Sequence, residues 1–241
     1  MIRHIPNLVT LLNLLCGSVA VVFAVNGNMK ITALFVFLGI FFDFFDGLLA
    51  RKLKVQSELG LQLDSLADMV TSGLVPGLVM FYLLKLSGPD WMEYGLVSEQ
   101  FRWDTDHVLP FFGFLITLAS AYRLAKFNIS SHQSEAFIGL PTPANALLIL
   151  SLPLIMEYQN NDIMNAIILN KWVLIALTFL SAYLLNCKIQ LLALKFKTWN
   201  FKDNAARYLL IIMSAVLLIL FKFAAIPLII LLYIVISILN K

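Results

Sequence analysis

Charge is scarce in this 241-residue sequence: 13% of its residues are Asp, Glu, Lys or Arg, against 61% hydrophobic. With a mean hydropathy of +0.89, that balance excludes a soluble globular domain, in which apolar and polar shares are roughly even. Cysteine is nearly missing. Cys16 and Cys187 stand inside or at the end of apolar runs, which excludes a disulfide framework and leaves packing as their role. Histidine is as sparse, and His4, His107 and His132 show no mutual ligand spacing, so interfacial or loop positions are expected for them. No internal repeat, low-complexity tract or long linker breaks the chain, which therefore reads as a single domain over 1–241.

What is present is a series of apolar windows. A spanning helix needs about 20 predominantly apolar residues, and such windows recur at 6–26, 30–51, 61–86, 108–126, 143–158, 171–187, 205–221 and 224–240. They predict an all-α polytopic membrane bundle of about eight spans, the fifth and sixth short enough to tilt or merge. Residues 1–187 would form a six-helix core, and 188–241 an interfacial linker followed by a C-terminal helical hairpin. Arg3 ahead of the first window mimics a secretion signal, but the run stays uncharged from Ile5 to Met29 without a clear cleavage pattern, so a retained helix is expected.

Orientation is set by the basic residues. With the N-terminus inside, twelve of the 17 Lys and Arg fall on the inner side, leaving Lys30, Lys85, Arg102, Lys171 and Lys222 outside. An inner excess of Lys and Arg fixes the direction of threading, so both termini are expected in the cytoplasm. The same bias accounts for the formal charge of +3 through anionic membrane lipids, without nucleic acid. The stretch KIQLLALKFKTWNFKDNAAR reads as an interfacial amphipathic linker. Trp91, Trp103, Trp172 and Trp199 fall near predicted span ends, as an aromatic belt would have them.

Against this background the segment FFDFFDGLLAR stands out. Asp43, Asp46, Gly47 and Ala50 are spaced i, i+3, i+4 and i+7, one stripe of a helix. The third window repeats the pattern with Gly60, Asp64 and Asp68 at i, i+4 and i+8. At about 1.5 Å per residue, Asp43 and Asp68 each lie roughly 12 Å from their end of the intervening turn, with Asp46 and Asp64 shallower. A tight hairpin between the two helices would bring all four acids together. Four ionised carboxylates in an apolar span cost about 2.5 to 3.5 kcal/mol each on insertion scales, and no basic residue lies in either stripe. That points to divalent cations. An oxygen-only donor set suits Mg²⁺ or Mn²⁺ rather than zinc, which prefers His and Cys, and four acids can bridge a pair of ions for phosphoryl chemistry. Metal-assisted phosphoryl or diphosphate chemistry, a cation-coupled carrier and purely structural acids all fit this spacing.

The complete pattern is Asp43-x-x-Asp46-Gly47-x-x-Ala50-Arg51, eight residues, then Gly60-x-x-x-Asp64-x-x-x-Asp68. It resembles, in every element and spacing, the signature of the CDP-alcohol phosphotransferase family of membrane enzymes. The resemblance implies transfer of a phosphatidyl or related group from a cytidine-diphosphate donor to an alcohol, with release of CMP. It implies metal ligation by Asp43, Asp46, Asp64 and Asp68, and a general-base role for Asp68. Gly47, Ala50 and Gly60 would leave room for the nucleotide, with Arg51 near the donor phosphates or snorkelling to the interface.

The segments IPNLVTLLNLLCG, YRLAKFN and FIGLPTPANA resemble the integral-membrane bacterial and archaeal branch of that family that takes serine as acceptor. Lys126 stands where arginine is commoner there, and DMVTSGLVPG departs mildly from the usual text. This likeness implies CDP-diacylglycerol and L-serine as substrates, a homodimer, a prokaryotic inner membrane and a cytoplasm-facing site. Glycerol phosphate or an inositol phosphate are the alternative acceptors, and membrane prenyltransferases, which also bind metal-diphosphate through aspartates, are disfavoured by the intervening Gly-x-x-Ala-Arg. Arg123 would grip the serine carboxylate in bidentate fashion, with Lys126 and Asn128 as alternatives; head-group anchoring is the plainer role for all three. Thr142 before Pro143 reads as a helix N-cap.

Overall fold

The computed structural model of the protein describes residues 4–88, 108–129, 137–192 and 204–239. Trp91, Trp103, Trp199, His107, His132 and residues 193–203 of the basic linker lie outside the described residues. Helices α1 (Ile5–Val25), α2 (Met29–Lys52) and α3 (Glu58–Asp68) come first, and α3 runs through a π-helical turn (Met69–Leu74) into α4 (Val75–Leu86). A 3₁₀ turn (Leu109–Gly113) leads into α5 (Phe114–Ile129) and strand β1 (Phe137–Ile138). Next come α6 (Thr142–Tyr158), α7 (Asp162–Ile168), α8 (Lys171–Asn186), strand β2 (Gln190–Leu191), α9 (Ala205–Phe221) and, past a 3₁₀ turn at Lys222–Ala224, α10 (Ala225–Leu239).

Every predicted apolar window holds helix. By length and composition, Ile5–Val25, Met29–Lys52, Glu58–Leu86 and the stretch Ala205–Leu239, which the turn at Lys222–Ala224 divides into α9 and α10, are apolar enough to cross a membrane, and α7 with α8, bent by 60° at their junction, add a fifth if they cross as one. The protein is an integral membrane protein. The bend has a local cause: Asn161 caps α7 by accepting from the Ile163 and Met164 N–H groups, and Asn170 caps α8 by accepting from the Trp172 N–H. Two caps nine residues apart start two helices where sequence periodicity shows one short window and a loop.

The core forms around α6, whose residues from Leu148 to Ile155 are all buried. A helix apolar on every side packs inside protein, and α6 does so against Val36 of α2 and Val79, Met80 and Leu83 of α4. The outer faces are apolar too, as lipid requires: Leu8, Leu15, Val22, Phe41 and Phe44 are exposed. Cys16 and Cys187 are buried free thiols, in keeping with a packing role. The cap of α6 differs from the expected one. Thr142 is already the first helical residue, and Pro141, which offers no side-chain bond, occupies the cap position in its place. Pro143 stays in the first turn, where its missing N–H would have had no helical partner in any case.

The hairpin carrying the acids is splayed, in contrast to the tight hairpin expected from the sequence. Helix α2 ends in a Schellman motif: Val55 N–H donates to Ala50 O at 3.1 Å and Lys54 N–H to Arg51 O at 3.2 Å, with Lys54 at φ +54°. Ser57 then caps α3, accepting from the Gly60 N–H at 3.1 Å. Both helices pack on α1 far more than on each other, so the turn opens a gap between them.

Small residues let α1 and α2 close on the π turn. A Cβ at Gly17 would run into Thr71 Oγ1 and stand 3.0 Å from Thr71 N, and one at Gly39 would be 2.6 Å from Thr71 Cγ2. Thr71 donates its hydroxyl to Asn13 O at 3.2 Å. Gly17→Ala therefore overpacks against backbone, which cannot yield as a side chain can, and should destabilise by about 1–3 kcal/mol. The readout is the thermal unfolding midpoint in detergent; an unchanged midpoint would show the contact to be looser than described.

Candidate active site

Asp43 and Asp46 reach from α2, and Asp64 and Asp68 from α3, across the gap between those helices. One oxygen from each of Asp43, Asp46 and Asp64 lies within 4.8 Å of the others. Asp68 completes the group beside Asp43 and Asp64. Asp46 and Asp68 are buried, at 5% and 9% exposure, and Asp46 Oδ2 has no hydrogen-bond partner. Asn13 Nδ2 donates to Asp68 Oδ1 at 3.4 Å, and Thr10 lies beside Asp46.

Among the described residues no salt bridge reaches these four carboxylates. Two unit charges 4.8 Å apart repel by about 3.5 kcal/mol at an effective dielectric of 20, and this arrangement repeats that repulsion over several pairs. The donor set is all oxygen, from carboxylates that converge on a common centre, which fits a hard divalent cation. Asp43, Asp46 and Asp64 are the residues that could hold it, with Asp68 adjacent.

A cavity of about 460 Å³ opens beside the acids, within the roughly 300–1,000 Å³ usual for ligand sites. Pro6, Asn7 and Thr10 line it from α1, Asp46, Gly47, Ala50 and Arg51 from α2, residues 55–57 from the turn, and Glu58, Gly60, Leu61 and Asp64 from α3. All three small residues of the sequence pattern, and its arginine, thus border one space. At Gly47 that space is open, since a Cβ there would meet nothing nearer than Arg51 Nη2 at 3.9 Å.

The remaining sequence candidates are placed differently. Arg123 on α5 is near enough to Asp68 to interact with it electrostatically, and its Nε is buried without a partner. Asn128 joins α5 to α3: its Oδ1 accepts from Ser65 Oγ at 3.0 Å and its Nδ2 donates to Gln62 Oε1 at 3.2 Å. Lys126 is exposed. None of these three lines the cavity.

Three residues of α1 join the site without having been assigned a role in it from the sequence. Asn7, Thr10 and Asn13 recur at i, i+3 and i+6 in PNLVTLLN, and that polar stripe on an otherwise apolar helix is the signal that could have found them. The π turn directly after Asp68 is equally unannounced by periodicity. Such turns frequently occur at functional sites, and here Thr117 donates its hydroxyl to Gly73 O at 3.1 Å, satisfying a carbonyl of the widened turn.

Comparison with known proteins decides the family. The sequence profile described as CDP-alcohol phosphatidyltransferase matches residues 3–184. The chain belongs to this family. It is 32% identical over 169 residues to the CDP-diacylglycerol–serine O-phosphatidyltransferase of Bacillus subtilis, covering 68% of this chain and 81% of that one. Against the protein of the same name from Methanocaldococcus jannaschii it is 32% identical over 165 residues, 68% of each chain. With the Helicobacter pylori protein of that name, identity is 29% over 147 residues, 60% of this chain and 55% of the relative. The region matched to the CDP-alcohol phosphatidyltransferase family contains all four acids, the three small residues and Arg51.

Asp43→Asn and Asp64→Asn each withdraw one of the three converging charges. Mn²⁺ affinity, read by electron paramagnetic resonance on purified protein, should fall about tenfold or more in each. Retention of the original affinity by either variant would remove that residue from the ligand set.

Proposed function

We propose that the protein is a phosphatidylserine synthase that transfers the phosphatidyl group of CDP-diacylglycerol to the hydroxyl of L-serine and releases CMP. The convergence of Asp43, Asp46 and Asp64 beside a cavity bordered by Gly47, Ala50, Gly60 and Arg51 carries this reading. The acceptor rests on the names of the relatives, which are serine phosphatidyltransferases from bacteria and an archaeon.

In this reading Asp43, Asp46, Asp64 and Asp68 hold two Mg²⁺ or Mn²⁺ ions. When bound, these ions supply charge neutralisation on the diphosphate oxygens. The small residues let the cytidine nucleotide approach the backbones of α2 and α3, and Arg51 faces the phosphates from the cavity wall. Asp68, oriented by Asn13, accepts the proton of the serine hydroxyl, because a neutral hydroxyl is a poor nucleophile. The serine oxygen forms its bond to the lipid-side phosphorus as the bond from that phosphorus to the CMP oxygen breaks, and CMP leaves with the electron pair. Arg123, beside Asp68, binds the serine carboxylate in bidentate fashion.

The reading includes eight membrane crossings with both termini in the cytoplasm of a prokaryote and the site open to that side. The donor's acyl chains then stay in the inner leaflet while its diphosphate meets the acids just below the surface. A homodimer is part of the same proposal, on family grounds.

Purified protein incubated with labelled CDP-diacylglycerol and, separately, L-serine, glycerol phosphate and an inositol phosphate tests the acceptor. Serine should give phosphatidylserine and CMP; product from another alcohol in its place overturns the serine assignment. Serine flux into sealed vesicles without CMP release would instead make the acids those of a carrier. Asp68→Asn should keep donor binding while turnover falls by about 10²-fold or more. Normal turnover in that variant would refute the base assignment.

A further inference from the structure

The family match ends at residue 184, and the residues beyond it are fastened to α6 in a specific way. Helices α9 and α10 form a hairpin. Lys222 between them takes φ +49°, and Leu218 with Ile226 and Leu210 with Tyr233 line one apolar crevice against α6, so the two run antiparallel.

This hairpin grips α6 at both ends. At the C-terminal end of α6, Gln159 Nε2 donates to Phe221 O at 3.1 Å, and its Oε1 accepts from the Ala224 N–H at 3.0 Å. At the other end the grip passes through β2. Tyr233 donates its hydroxyl to Leu192 O at 2.9 Å, and the Leu192 N–H donates to Ser237 Oγ at 3.0 Å. β2 pairs antiparallel with β1, Phe137 opposite Leu191. Gly139 N–H donates to Ile189 O at 2.9 Å and Leu140 N–H to Leu184 O at 2.8 Å. Leu140, Leu148, Leu191 and Ile230 close a separate buried apolar cluster over these bonds.

The segment held in this way is the entry to α6, and α6 packs on the π turn that succeeds Asp68. In its first turn Asn145 is fully buried, yet neither its Oδ1 nor its Nδ2 has a partner. A buried side-chain amide left unpaired on both atoms is costly, and its donor and acceptor match the carboxylate and ammonium of an α-amino acid.

We propose that the C-terminal hairpin is a positioning device for the acceptor: through Tyr233, Ser237 and the β1–β2 clip it sets the entry of α6, with Asn145, relative to the π turn that follows Asp68. The donor cavity, built from α1, α2 and α3, is outside its reach. The proposal rests on the phosphotransferase reading and adds a role for residues beyond the family match.

The test uses the purified full-length protein with Tyr233→Phe, Ser237→Ala and the double variant, titrating acceptor and CDP-diacylglycerol separately. The acceptor is whichever alcohol supports CMP release in the unaltered protein, so an error in the serine assignment leaves the comparison intact. The double variant should raise the acceptor KM roughly three- to tenfold while the donor KM stays within about twofold. Ser237→Thr, which keeps the hydroxyl, should restore the acceptor KM to within about twofold. An unchanged acceptor KM overturns the proposal. So does a parallel change in both KM values accompanied by a lower unfolding midpoint, which marks a brace without selectivity. No CMP release with any alcohol overturns the phosphotransferase reading and this inference with it.

Discussion

Mutual repulsion among acids in an apolar helix pair is the constraint on which the rest of the architecture depends. Among the described residues no base is paired with Asp43, Asp46, Asp64 or Asp68, so the fold must hold the acids near one another without a salt bridge to offset their repulsion. Holding them requires a rigid third party. Helix α1 supplies it, burying Pro6, Thr10, Asn13, Cys16, Gly17, Ala20 and Ala24 along one face while Leu8, Leu15 and Val22 face outward. Because α2 and α3 each lean on that face, their separation is set by α1 and not by contact with one another. A gap survives between them for that reason, and the cavity of about 460 Å³ opens there.

The π turn belongs to the same solution. A continuous α-helix from Glu58 to Leu86 would carry one stripe through its whole length, fixing the acids and the core-facing residues in a single phase. The extra residue of a π turn lets α3 present Gly60 and Asp64 to the cavity, with Asp68 buried behind them, while α4 presents Val75, Val79 and Leu83 to the core. Its widened backbone is secured on two sides, by Thr71 to the Asn13 carbonyl and by Thr117 to the Gly73 carbonyl. Gly17 and Gly39 give the room for that approach. The order of small and polar residues in CGSV, LGIF and MVTSGL is therefore a packing code as much as a chemical one.

Helices and acids are readable from the sequence because each depends on local period. Apolar windows locate every helix longer than α7, and the two carboxylate stripes locate the site. Features that depend on partners distant in the chain are not readable in this way. The splay of α2 from α3 comes from their contacts with α1, and the pairing of Asn128 with Ser65 and Gln62 joins residues more than sixty positions apart. The β1–β2 clip is two residues a side, too short for any periodicity. Asn7, Thr10 and Asn13 form an intermediate case: their spacing is visible, but three uncharged polar residues in a membrane helix acquire meaning only when the acids are seen to face them.

The two halves of the site are consequently held by different means. On the donor side, carboxylates, small residues and Arg51 border a space between three helices consecutive in sequence, and their geometry comes from one packing decision, the seating of α2 and α3 on α1. On the proposed acceptor side, Arg123 beside Asp68 and the unpartnered Asn145 are carried by α5 and α6, separated in sequence from the acids and from each other. Helix α6 reaches the π turn only in the register that its two ends allow, and both ends are fastened by residues beyond the family match. In the proposed reading the nucleotide-binding half is fixed by local sequence and the alcohol-facing half by long-range clips, so the two can vary independently, since the clips do not touch the seating of α2 and α3 on α1.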